Sequence, residues 1–310
     1  MQYSNIAIEL LAAKECGYIK TNASFINSYS NIDNFKQLIC SHQDIKQKVD
    51  ELTTLLQSEK YDNCGMICYF DDDFPCININ ASNGDTPHLL FYKGNISLLS
   101  NLNNNVAVIG LIDPTENIIN REKSLVKKII DSNMVVVSGL ANGCDTVAHQ
   151  TCVDNNAPTI EILPCPITKV SPATNKNLAA DILTHNGLLL SEYFGEPITK
   201  QNALARFIER DRLQSLFSKA TIMIASYKKG EGDSGSRHAM KYSETYKTLR
   251  YVMYNKEHDQ NNKQFFLNKD LLDSYKAQII TPQEILNIKN HINPNLIKNK
   301  KHKSEQLSLL

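Results

Sequence analysis

The chain has no tryptophan, no surplus of charge in either sign and no long apolar run. Without a stretch of about 18 apolar residues, no membrane-spanning helix is expected. The 33 basic and 33 acidic residues cancel, so no whole-chain field draws the protein to nucleic acid or to a membrane surface. Any basic site has to be local. Residues 1–13 carry Glu9 and lack a basic segment ahead of a long apolar core, so no secretory signal is read there. The eight cysteines are scattered. Cys64, Cys68 and Cys76 come nearest to a cluster, but there is no Cys-x-x-Cys pair and no spaced histidine pair to complete a zinc site. They read as buried thiols of a cytoplasmic protein, and neither a metal nor a cofactor is expected.

At 310 residues, 42% of them hydrophobic, the chain is long enough for a sizeable core. Three regions are read: a helical N-terminal region over 1–60, an α/β domain over 61–280 and a basic tail over 281–310. In the first, Ile6, Ile8, Leu10 and Leu11 open an apolar helix that breaks near Gly17. A second helix is predicted over 41–56, with Ser41 as N-cap, Asp44 in its first turn, and Ile45, Val49, Leu52 and Leu56 at helical spacing. In the last, Lys298, Lys300, Lys301, His302 and Lys303 form a charge run that reads as a solvated terminus or a nucleic-acid contact.

From about residue 66 strands and helices alternate. Strands are predicted over 66–70, 89–92, 106–109, 134–137, 159–163, 187–190, 221–225 and 250–254. Helices are predicted over 116–131, 146–153, 178–184, 200–217 and 236–246. Repeated β–α units of this length imply a parallel sheet with helices on both faces, which binds ligands at the carboxyl ends of its strands. The loops after Ile109, Val137, Leu190 and Ala225 share that edge.

The most informative of these loops is Ser138-Gly139-Leu140-Ala141-Asn142-Gly143-Cys144-Asp145, closing with Ala148-His149. A strand, a turn of small residues and a helix N-terminus together favour an anion. Ser138, Gly139, Ala141, Asn142 and Gly143 are candidate phosphate contacts, the glycines allowing close approach. A tight turn that binds nothing is the alternative. On the first reading, Gly143→Val blocks a phosphate and leaves the fold mostly intact. Arg206, Arg210 and Arg212 lie on one helical stretch, Arg206 and Arg210 on a shared face and Arg212 about 200° around from Arg210. Arg210 and Arg212 are expected to carry much of any phosphate affinity, unless Glu209 and Asp211 neutralise them. The loop that reaches Ser234, Gly235, Ser236 and Arg237 is a second phosphate candidate, with Ser234 or Ser236 as helix N-cap. Its Gly230-x-Gly232 lacks the full dinucleotide fingerprint. In the turn at Ser191, Glu192 reads as a ribose contact or a backbone cap. Asp145 and His149 sit one helical turn apart, as a catalytic dyad or a helix-stabilising pair; no other nucleophile–base pair is visible, and the chain is read as a binding protein rather than an enzyme.

Taken in order, these blocks resemble the DNA-processing protein A (DprA, or Smf) family. The family's Asp-x-x-(Phe/Tyr)-Pro entry stands at Asp71–Pro75, its Leu-Phe-Tyr-x-Gly-Asn strand at Leu90–Asn95 and its Val-Ala-x-Val-Gly strand at Val106–Gly110. The glycine loop through Ala148-His149 matches in full, and the Ser-Glu-Tyr turn is intact at Ser191–Tyr193. A reduced Tyr-Pro-x-x-Asn block remains at Ser171–Asn175. The Phe-x-x-Arg-Asn-Arg block appears as Phe207-Ile208-Glu209-Arg210-Asp211-Arg212, and Ser-Gly-Ser follows at Ser234–Ser236. The match runs over about 71–254. It departs where the family has Gly-(Ser/Thr)-Arg and this chain has Gly110-Leu111-Ile112, where Asp211 replaces Asn, and at Arg237-His238-Ala239; no winged-helix pattern is visible at the C-terminus. The resemblance implies an extended Rossmann-like domain that binds single-stranded DNA, delivers it to a RecA-like recombinase and forms a homodimer. The alternative, from the wider superfamily, is a nucleotide-derivative sensor or nucleotide-ribose hydrolase.

Overall fold

The computed structural model describes residues 1–233 and 235–296; Ser234 and the basic run from Lys298 to Lys303 lie outside the described residues. Four helices come first: α1 (Asn5–Glu15), α2 (Asn22–Tyr29), α3 (Ile32–Ser41) and α4 (Gln43–Leu56). Then come β1 (Cys64–Cys68), β2 (Leu89–Gly94) and β3 (Asn105–Ile109), followed by α5 (Glu116–Asp131), β4 (Val135–Ser138), α6 (Cys144–Asp154) and β5 (Thr159–Ile162). The chain continues through α7 (Lys176–Thr184), β6 (Leu188–Ser191), α8 (Lys200–Leu216), β7 (Ala220–Met223), α9 (Arg237–Thr245) and β8 (Leu249–Val252). It closes with α10 (Lys256–Asp259), α11 (Phe266–Asp273), β9 (Gln278–Ile279) and α12 (Pro282–Asn290).

The strands form one nine-stranded sheet in the order β1-β2-β6-β5-β4-β3-β7-β8-β9. From β6 to β9 every pairing is parallel. The expectation of a parallel sheet fails at the other edge, where β2 runs antiparallel to β6 and β1 antiparallel to β2. No helix lies between β1 and β2, and antiparallel neighbours need no crossover.

Alternation along the strands sorts the helices onto two faces. Val106, Val108 and Val136 pack with Leu125, Ala148 and Ile285, from α5, α6 and α12. Val137, Ile160 and Leu188 pack with Leu213 and Leu216 of α8, and Ile109 and Met223 with Met240 of α9. The N-terminal helices share a core with β1, β2 and α7, and the main chain of Gln2 pairs with Gly65.

The helix expected over 41–56 begins later. The amphipathic run Phe35, Leu38, Ile39 carries α3 through Ser41, whose hydroxyl donates back to the Gln37 carbonyl at 2.7 Å. His42 then precedes α4 without a side-chain cap.

Winding starts at β3. The chain steps outward through β4, β5 and β6, then crosses to the other side of β3 for β7, β8 and β9. The order reverses between β3 and β7, and a crevice opens there beyond the strand ends.

Candidate nucleic-acid interface

A cleft of about 380 Å³ occupies that crevice. Ile109 and Ile112 from the end of β3, Ala141 and Asp145 from the glycine loop, Asp233 from the β7–α9 connection and His238 from α9 line it. The fourth wall is α8, through Leu204, Phe207, Ile208, Arg210, Asp211 and Gln214. A second cleft, about 420 Å³, lies between α5 and α12, and its guanidinium, Arg121, is held by Asp259 at 2.8 and 2.9 Å.

The glycine loop already holds an anion, and that anion is its own Asp145. The Ala141 amide donates to the Asp145 carboxylate at 3.3 Å, and the Ser138 hydroxyl and Gly139 amide also favour its charged form. Burial outweighs them and the Arg210 charge, so the Asp145 carboxyl titrates above its ordinary range. The next amide, of Cys144, donates to the Leu111 carbonyl at 2.9 Å. The glycines serve these internal contacts. Gly143 has φ +81°, and a Cβ there would stand 2.3 Å from the Leu111 carbonyl oxygen. A Cβ on Gly139 would stand 0.9 Å from Nη1 of Arg210. Gly143→Val therefore disrupts the fold, contrary to the expectation from sequence. His149 takes no part with Asp145. It lies fully buried, its Nδ1 2.9 Å from the Thr159 hydroxyl, and burial lowers its pKa to about 3.

The two arginines of the α8 motif are buried, 5% and 6% exposed. Arg212 forms an ion pair with Glu192 through Nη2, while Nη1 donates to the Asp85 carbonyl at 2.7 Å. Asn22 of α2 donates to the other Glu192 oxygen at 3.4 Å. Glu192 is thus neither a ribose contact nor a cap here; with Arg212 it ties β6, α8 and α2 together. Arg210 lies over Gly139 among carboxyls. Nη1 is 3.6 Å from Asp145 and Nε 3.3 Å from Asp211, the residue standing in place of the family's Asn. Below, Glu161 projects from β5 fully buried, with neither oxygen hydrogen-bonded. Burial raises Glu161 to about 8 and Asp211 to about 7, against the pull of Arg210. Leu111, near the position of the missing family arginine, packs in the core, and Ile112 is exposed at the cleft mouth.

Other predicted residues face outward. Arg206 stacks 4.2 Å from the centroid of Tyr193 and donates to the Gly195 carbonyl at 2.8 Å. Asn142 is exposed. Gly235 is exposed, its amide donating to Asp233 at 3.1 Å, and the other Asp233 oxygen accepts from the Ile112 amide at 2.9 Å. Ser236 occupies the N-cap position of α9, but its hydroxyl donates across the crevice to the Gly110 carbonyl at 2.8 Å. Arg237 opens α9, and its charge, with those of Lys229 and Lys241, adds to burial in lowering the pKa of His238. The described candidates thus divide into a buried floor (Ser138, Gly139, Arg210, Arg212, Ser236) and a partly or fully exposed rim (Ala141, Asn142, Gly143, Arg206, Gly235, Arg237). Sequence reading missed Glu161, Asp233 and His238. A carboxylate inside the otherwise apolar strand Thr159–Ile162 was the available signal for Glu161.

A doubly wound sheet with a polar-floored, apolar-walled cleft at its switch point belongs to the class of α/β proteins whose ligand sites lie at the strand ends. Residues 65–289 match the family model of DNA recombination-mediator protein A, and the chain belongs to that family. It is 39% identical over 111 residues to the DNA processing protein DprA of Streptococcus pneumoniae, covering 35% of this chain and 37% of that protein. It is 32% identical over 155 residues to DprA of Bacillus subtilis, covering 49% and 48%. The matched segments thus span less than half the length of either relative. The crystal structure of the S. pneumoniae protein has the same fold, with TM-score 0.70 at 20% identity over 94% of this chain and all of that one. DNA processing protein A from Helicobacter pylori, described for its single-stranded DNA binding mode, superposes with TM-score 0.59 at 24% identity, over 74% and 97%.

Proposed function

We propose that this chain binds single-stranded DNA across the carboxyl ends of β3, β4 and β7 and passes it to a RecA-like recombinase, as a binding protein rather than an enzyme. The observation that carries this reading is the rim. Exposed Phe207 lines the cleft from α8, next in the chain to the Arg206 that stacks on Tyr193, and the charges of Lys229, Arg237 and Lys241 reach His238 on another wall. Ring faces hold unpaired bases, at about 1–3 kcal/mol each, and cations follow a flexible backbone. Asn142, Arg206, Gly235 and Arg237, together with Ser234 and Ser236 of the sequence motif, are the proposed phosphate contacts. The single-stranded DNA binding mode described for the Helicobacter pylori relative supports the reading. The fold and family also support a homodimer, and light scattering that gives only the 34.9 kDa monomer at tens of micromolar overturns that part.

The test is fluorescence anisotropy with labelled oligo-dT against a duplex of equal length, without metal or nucleotide. Preference for the single strand is expected; equal affinity, or dependence on added Mg²⁺ or ATP, overturns the reading. The cleft itself favours one alternative. Its volume and its converging polar groups suit a small nucleotide. A thermal shift with a nucleotide and no oligo-dT binding selects a sensor or hydrolase.

A further inference from the structure

Arg210 is over-supplied with carboxyls. Asp145 faces it from α6, Asp211 adjoins it on α8, and Glu161 lies within reach of its charge on β5. Asp233 adds a further negative charge from the β7–α9 connection, and His238 lines the same cleft from α9. Yet Nε and Nη1 of Arg210 make no hydrogen bond, and neither do the oxygens of Glu161. The guanidinium is held by charge, with Nε and Nη1 unused and shut off from solvent, and Arg210 and Asp211 both line the cleft. With the neighbouring carboxyls ionised, the floor repels an anion; each proton they take up removes one negative charge from beside the guanidinium.

We propose that the cleft takes a DNA phosphate only together with a proton: docking of the anion beside the Arg210–Asp211 pair is coupled to protonation of Asp211. This rests on the DNA-binding reading and adds its control. An anion beside Asp211 favours the neutral acid, so binding takes up a proton and affinity falls as pH rises through the range where free Asp211 ionises, about 7. One coupled proton weakens binding about tenfold between about pH 6 and pH 8. His149 stays neutral throughout, and His238, lowered by burial and by Arg237, Lys241 and Lys229, gains its proton below this window.

The experiment is oligo-dT binding to the full chain at constant ionic strength from about pH 5.5 to pH 8.5, with calorimetry in two buffers of different ionisation enthalpy to count protons. The expected result is the tenfold loss and net proton uptake near neutrality. Asp211→Asn binds at about pH 7 as tightly as the wild type does at about pH 6 and loses the slope up to that point, Glu161 ionising only nearer pH 8, while His238→Ala keeps it. A flat wild-type profile without proton uptake, an Asp211→Asn variant that retains the slope, or a slope abolished by His238→Ala overturns the coupling and leaves DNA binding standing. No binding at any pH overturns both. The calorimetric count needs no variant, so a misfolded substitution does not leave the question open.

Discussion

Two loops of this molecule look alike in sequence and differ in what they leave open. Both follow a parallel strand, both carry glycines with positive φ, and both lead into a helix. The loop after β4 turns inward: its amides bond Asp145 and Leu111, and its glycines make room for Arg210 and for the chain beyond β3. The loop after β7 turns outward: Gly230 has φ +90° with nothing within 4 Å, and Lys229, Glu231 and Gly235 around it are exposed. A phosphate-loop pattern therefore reports a place where backbone donors converge, and the structure decides whether the anion they meet is a ligand or the protein's own side chain.

The largest effect separates the two loops directly. Gly143→Ala is expected to cost more than about 4 kcal/mol, because left-handed strain adds to a backbone clash, whereas Gly230→Ala carries only the strain, about 1 kcal/mol. Chemical denaturation of both variants checks this, and equal losses would erase the distinction. Next come the arginines. Arg212→Ala leaves Glu192 buried and unpaired and should cost about 3 kcal/mol or more, while Arg206→Ala, on the half-exposed rim, should stay within about 1 kcal/mol. If Arg212→Ala melts like wild type but loses oligo-dT affinity, Arg212 belongs to the interface and not to the framework. A smaller effect sharpens the outward loop. Lys229→Ala/Lys241→Ala should lower the slope of log affinity against log salt by roughly 1.4, at about 0.7 per single-strand contact, with an unchanged melting curve. An unchanged slope moves the backbone path away from α9.

A separate effect, outside the two loops, is a pH dependence of stability. Burial lowers His88 and His149 to about 3. Each stays neutral in the folded chain while the unfolded chain gains a proton near the ordinary histidine value, about 6.5. Between those limits the unfolded state binds more protons, so stability falls as pH falls below about 6.5. His149→Gln should flatten part of that acid limb in a denaturation series; an unaltered limb would assign it to other groups.

Much of the fold was legible because it rests on local pattern. The helix Glu116–Asp131 has the bounds its apolar spacing predicts, and the central strands read as short apolar runs bounded by turn residues. The helices α2 and α3 were not read, although Thr21 with Ser24 and Asn31 cap them and Ile32, Phe35, Leu38 and Ile39 recur at helical spacing in α3; only α2, with Phe25 its one buried residue, is too thin in apolar content to show a period. At the site, sequence brought the right loops to one edge but not the exposure of their side chains. Arg206, Arg210 and Arg212 are alike as letters. Only packing shows that the second is surrounded by Asp145, Glu161 and Asp211, the third is fastened to Glu192, and the first rests on Tyr193. Such contacts join residues far apart in the chain, and no local pattern encodes them.

The Glu192 junction has a practical consequence. Asn22, which reaches Glu192, also receives His88 at 2.6 Å, so the hinge between the first helices and the sheet is polar as well as greasy. A shortened chain starting near residue 61 would strip the lid from Phe91 and Leu189 and leave Glu192 short of a donor. Anyone cutting the protein down to its strand–helix half for crystallisation or labelling should expect a sticky, acid-sensitive fragment rather than a minimal working piece.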